Sequence, residues 1–116
     1  MRESNLSERA GDRNSGQTRG SDQYKRVEFS VDGLPLEYHF KIWYMDSMPM
    51  CVVIRENSSV LPRLKVGDKL KMKYYAAHSV YPVDLKKTAI REITKDEKGR
   101  FKGSYLVGLE ILESEV

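Results

Sequence analysis

The sequence predicts an all-β protein, a small antiparallel barrel preceded by a disordered arm. Three observations carry that expectation. Apolar side chains recur at every second position in several short runs, and these runs follow one another about every ten residues with turn residues between them. No segment sustains a helical apolar period. Short, evenly spaced strands of this kind close most readily into a barrel or sandwich.

Residues 1–23 hold almost no large apolar side chains, and their Gly, Ser, Arg and Asp content cannot offset the entropy of ordering, so they are expected to form the disordered arm. The barrel is expected to span 24–116. From Tyr24 the texture changes: Val27, Phe29 and Val31 alternate with Arg26, Glu28 and Ser30, a half-buried strand. Asp32-Gly33 marks a tight turn, after which Tyr38, Phe40, Ile42 and Tyr44 share a face. The run from Met50 to Ile54 reads as a more deeply buried strand. The best short helical candidate lies around Ser58–Leu64, where Pro62 interrupts it. Leu70, Met72 and Tyr74 then alternate against Lys69, Lys71 and Lys73, with Tyr75 open to either face. Two last strands, starting near Thr88 and Ser104, flank a polar hairpin containing Asp96, Gly99 and Gly103.

At 116 residues the chain provides one domain. A net charge of +3, with acids and bases interspersed, permits a small anionic ligand but does not specify a DNA-groove binder. No apolar run is long enough to span a membrane and the first residues lack a secretory signal, so a cytoplasmic location is expected. Cys51, the single cysteine, reads as a buried reduced thiol. Two histidines, His39 and His78, and one cysteine at unrelated spacings make no metal site, and Met45, Met48 and Met50 are expected to line an apolar patch instead. No metalloprotease, nucleophile-elbow or phosphate-loop motif is present, and a non-enzyme without a cofactor is expected.

Arg-Val-Glu-Phe at 26–29, Leu-Lys-Val-Gly-Asp at 64–68 and the closing Gly-Ser-Tyr-Leu-Val-Gly-Leu-Glu-Ile-Leu phrase at 103–112 resemble the PilZ domain family. The resemblance runs from about Asp22 to the end. It implies a six-stranded antiparallel barrel and, as ligand, the bacterial messenger cyclic di-GMP. The family signature is an Arg-x-x-x-Arg before the first strand and an (Asp/Asn)-x-Ser-x-x-Gly before the third. Arginines suit such a ligand because one guanidinium supplies charge, paired hydrogen bonds and a planar stacking surface.

In this chain Arg26 falls on the second arginine while Asp22 replaces the first; a literal match at Arg9 and Arg13 lies further upstream. In the second half Tyr44 replaces Asp/Asn, Asp46 replaces Ser, and Pro49 replaces Gly, losing both conformational freedom and a backbone donor. The groups the resemblance leaves for cyclic di-GMP are Arg19, Lys25, Arg26, Tyr44, Asp46 and Ser47, with Tyr24, Trp43 or Tyr44 for stacking. The implied function is a non-catalytic regulatory or adaptor domain acting mainly through a protein partner, with weak or lost nucleotide binding. Two alternatives stand beside it. One is a working cyclic di-GMP receptor with modified contacts. The other, disfavoured, is a barrel binding single-stranded nucleic acid on Lys69, Lys71 and Lys73; these lysines are expected instead to guard the wet face of an edge strand against aggregation.

Overall fold

The computed structural model describes residues 24–112; the predicted arm at 1–23, Arg19 within it, and residues 113–116 lie outside the described residues. Alternating apolar side chains resolve into six strands, β1 (Arg26–Phe29), β2 (Tyr38–Lys41), β3 (Cys51–Arg55), β4 (Lys69–Tyr75), β5 (Asp84–Lys95) and β6 (Ser104–Ile111). They form one antiparallel sheet in the spatial order β2-β1-β4-β5-β6-β3. The sheet curls until its outer strands meet. Trp43, just beyond β2, and Cys51, the first residue of β3, exchange both backbone hydrogen bonds at 2.8 and 2.9 Å. That bridge is the seam of the barrel, and it satisfies backbone groups that would otherwise be left at a sheet edge.

The period-two pattern sets what lies inside. Val27, Phe29 and Val31 are buried, as are Ile42, Val52, Ile54, Met72, Tyr74, Ile90, Val107 and Leu109. Each fully buried aliphatic side chain of this kind contributes about 1.5–3 kcal/mol over its exposed state. Val27 lies opposite Phe40 on one side and Tyr74 on the other, so three strands share one inward layer. The Tyr74 hydroxyl, deep in this core, bonds Thr88 Oγ1 at 2.7 Å, and Thr88 also donates to the Lys86 carbonyl. A buried hydroxyl with a partner avoids the cost of an unmet one.

The helical candidate near Pro62 is a single 3-10 turn, Leu61–Arg63. Val60 and Leu64 on either side of it are buried in the core, so two apolar anchors and a proline fix a turn too short to propagate. The Asp32-Gly33 turn forms as expected, with Gly33 at φ 91° and the Leu34 N–H donating to the Val31 carbonyl.

Three details depart from the sequence reading. Tyr44 leaves the inward face of its neighbours and is exposed, because the chain turns away after the Trp43 bridge. β5 starts at Asp84 rather than near Thr88: its polar first residues pair along the backbone with β4, Leu85 opposite Lys73 and Lys86 opposite Met72. β4 lies between β1 and β5, so its lysines are not on an edge strand. Lys69 and Lys71 do face outward, and Lys73 bonds Glu37 at 3.1 Å. Among the described residues no helix is long and apolar enough to cross a membrane.

Candidate functional site

Arg26 opens β1 and, with Val27 turned inward, projects from the outer face between Lys41 of β2 and Tyr75 of β4. Its guanidinium is largely engaged there. Nη2 donates to the Ser79 carbonyl at 2.8 Å, Nη1 to the Ala76 carbonyl at 3.3 Å, and Nε to His39 Nε2 at 3.3 Å. The same group lies 5.0 Å from the centroid of the Tyr75 ring, which His39 also approaches at 5.1 Å. Tyr75 in turn donates to Glu28 Oε1 at 2.6 Å. That bond holds the Glu28 carboxyl below its ordinary range and raises the Tyr75 phenol above its own. Arg26 therefore staples the β4–β5 loop to the barrel.

The loop so held turns at Ala76–Ser79, where the Ser79 hydroxyl accepts from the Ala76 N–H at 2.9 Å. Beyond it the chain presents Val80 and Tyr81, 81% and 80% exposed, followed by exposed Pro82, Val83 and Leu85. Val83 is tied back to the barrel by its N–H to the Tyr74 carbonyl at 2.8 Å. Asp84 accepts from the Tyr24 hydroxyl, and the Tyr24 ring packs 4.8 Å from that of Tyr74. Burial and the Asp84 carboxylate together push the Tyr24 phenol well above its usual range. The loop is thus anchored at both ends while its apolar side chains face solvent.

The other sequence-predicted residues are dispersed among separate contacts. Lys25 is exposed, its backbone bonded to Tyr75 and Ile42. The Tyr44 hydroxyl donates to the Tyr24 carbonyl at 2.6 Å. Asp46 and Ser47 lie on the exposed 44–50 loop, which the Met45 N–H closes onto the Met48 carbonyl. Ser47 lines a cleft of about 280 Å³ with Met48, Pro49, Gly108 and Leu109, on whose rim Arg91 and Glu110 form an ion pair. Neither Arg26 nor Lys25 lines that cleft. Met48 is buried, since glycine at 108 leaves room for its thioether against β6, whereas Pro49 is exposed. Cys51 is a buried free thiol, and burial pushes it up to about 11.

Two features carry no signal in local sequence. One is the Arg26–Tyr75–His39 cluster, which joins three strands. The other surrounds half-buried Trp43, whose indole meets the Phe101 ring at 4.9 Å with Lys41 Nζ 4.1 Å and Arg100 Cζ 4.8 Å from its centroid. Among the described residues no group of His, Cys, Asp and Glu is arranged to hold a metal ion. Compared with known proteins, the chain matches no family model, no curated protein and no solved structure.

Proposed function

We propose that the chain is a non-catalytic, PilZ-like regulatory or adaptor domain of the bacterial cyclic di-GMP signalling type that acts through a protein partner and has weak or lost nucleotide binding. One observation supports this above the others. The arginine in the position expected to hold a phosphate is bonded to the carbonyls of the loop that displays Val80, Tyr81 and Val83, with exposed Leu85 just beyond it on β5. A paired grip on a phosphate by Arg26 would compete with those bonds, each charge-assisted contact being worth about 1.5–3 kcal/mol. A contiguous apolar segment in solvent is meanwhile the kind of surface that protein contacts cover.

Titration with cyclic di-GMP, read by amide chemical shifts, tests the proposal. No saturating shift at residues 24–27 and 43–49 at millimolar ligand is the expected result. Saturation of those amides at micromolar ligand overturns it in favour of a working receptor.

A further inference from the structure

A second surface is built around Trp43, outside the apolar loop. Ile42 is turned into the core, which sends Lys41 and Trp43 to the outer face at the seam of the barrel. The β5–β6 hairpin brings Arg100 and Phe101 to the same place. Its turn is fixed by Asp96, whose carboxylate accepts from the N–H groups of Gly99 at 2.7 Å, Phe101 at 2.9 Å and Lys98 at 3.3 Å. Those bonds hold the Asp96 carboxyl below its ordinary range, so a charged cap keeps the turn in shape. Arg100 then lies over both Trp43 and Phe101, at 4.8 and 5.1 Å from their centroids.

Among the described residues Lys41 and Arg100 have no anionic partner: the ion pairs there are Lys73–Glu37, Arg91–Glu110 and Lys95–Glu56. Lys98 and Lys102 add exposed positive charge on the same turn, against Glu97 and the already satisfied Asp96. Cation–aromatic contact costs a guanidinium none of its hydrogen-bonding edge, so Arg100 is oriented yet still has its donors available. Side chains ordered beforehand bind with less entropy loss, and Trp, Arg and Phe are the residue types enriched at the centres of protein interfaces.

We propose that Lys41, Trp43, Arg100 and Phe101 form a docking site for an acidic segment of a partner protein, with Arg100 and Lys41 receiving its carboxylates. This rests on the adaptor reading only in taking the partner to be a protein; the surface itself is distinct from the Val80–Leu85 loop. An acidic peptide fits better than a nucleic acid strand. Single strands need open aromatic faces for their bases, and here the indole is already engaged by two cations and a phenyl ring.

The test is selection of a displayed random-sequence peptide library on the full chain, followed by anisotropy titration of the recovered peptides. The expected result is enrichment of Asp- and Glu-bearing peptides whose affinity falls with salt. The paired substitution Lys41→Glu and Arg100→Glu should weaken them by about tenfold or more and select basic peptides instead. Val80→Ser with Tyr81→Ser should leave their binding unchanged, which separates this site from the apolar loop. Recovered peptides without acidic bias, or acidic peptides indifferent to the paired reversal, overturn the proposal. Competition by a single-stranded oligonucleotide that the reversal abolishes also overturns it, assigning the cluster to nucleic acid. Cyclic di-GMP titration of the same reversed variant reports on the nucleotide reading separately.

Discussion

Arg26 reaches from the first strand of the barrel to the carbonyl of Ser79, a residue 53 positions later, and bonds it at 2.8 Å. The contact is structural in kind: it joins β1 to the loop whose next residues are the most exposed apolar side chains among those described.

Removing that guanidinium should therefore loosen the loop before it unfolds the barrel. Arg26→Ala is expected to lower stability by about 1–2 kcal/mol in chemical denaturation and to speed amide exchange at Ala76–Ser79. Arg26→Lys should not restore the loop, because one ammonium cannot span the separate carbonyls and His39 together. Unchanged exchange in the loop would show that other contacts hold it.

The two turn glycines Gly33 and Gly67 separate strain from collision. Both have positive φ, 91° and 99°, but a Cβ at 33 would lie 2.5 Å from Arg63 Nη1 whereas one at 67 meets nothing within 4 Å. Gly67→Ala should cost about 1–2 kcal/mol from backbone strain alone. Gly33→Ala should cost about the same, because Arg63 is exposed and its guanidinium, the far end of a flexible side chain, can swing aside; adding Arg63→Ala should change little in denaturant titrations. A markedly larger cost at 33 that Arg63→Ala removes would mean that the guanidinium is held in place.

Stability should fall on the alkaline side, first through Cys51 and then through the tyrosines Tyr74 and Tyr24, whose phenols burial raises. Burial raises the Cys51 thiol from 9.0 to about 11, and burial raises the Tyr74 phenol from 10.0 to about 12 despite its bond to Thr88. For a group whose folded pKa is raised, the stabilisation is complete below the unfolded value and lost as pH rises through the folded one. The window thus runs from about pH 9 to 11 for Cys51 and from about 10 to 12 for Tyr74. Within each window the loss approaches about 1.4 kcal/mol per pH unit. Cys51→Ala should remove the onset near pH 9 from a denaturation series, and the native thiol should resist alkylation at neutral pH. Rapid alkylation of the folded chain at neutral pH would contradict the burial.

Substituting the apolar loop should alter contacts without altering the fold. Val80→Ser with Tyr81→Ser is expected to change unfolding free energy by less than about 0.5 kcal/mol, since both side chains are exposed. The same change should reduce self-association or partner capture at concentrations where the parent chain shows either. A large drop in stability would mean that the two side chains pack somewhere in the folded chain.

What could be read from the sequence follows the range of the interactions involved. The inward set Val27, Phe29, Val31, Met72 and Tyr74 was legible because pleating is local and has a fixed period. The start of β5 was not, because Asp84 and Lys86 pair through backbone groups that any residue carries. Tyr44 was misplaced on the inner face because nothing in its neighbours announces that the chain leaves the sheet after Trp43. At the site, position within β1 indicated that Arg26 faces outward, but not that loop carbonyls from Ala76 and Ser79 would meet it. Lys41, Trp43 and Arg100 come together only through barrel closure and hairpin geometry, which no single segment encodes.

The Trp43–Cys51 bridge gives the exposed positions of the 44–50 loop a measure of independence. The loop leaves the barrel and returns to it at one pair of mutually bonded residues, as a ring returns to its clasp. Closure depends on the clasp, so exposed Asp46, Ser47 and Pro49 can change with little penalty to the barrel, while Met48 stays packed against Gly108. A tyrosine, an aspartate and a proline can stand where a nucleotide reader is expected while the strands on either side keep their register. On such a scaffold recognition can be lost, replaced or engineered in that ring alone, and a transplanted loop of similar span that keeps an apolar side chain at position 48 should inherit a barrel already closed.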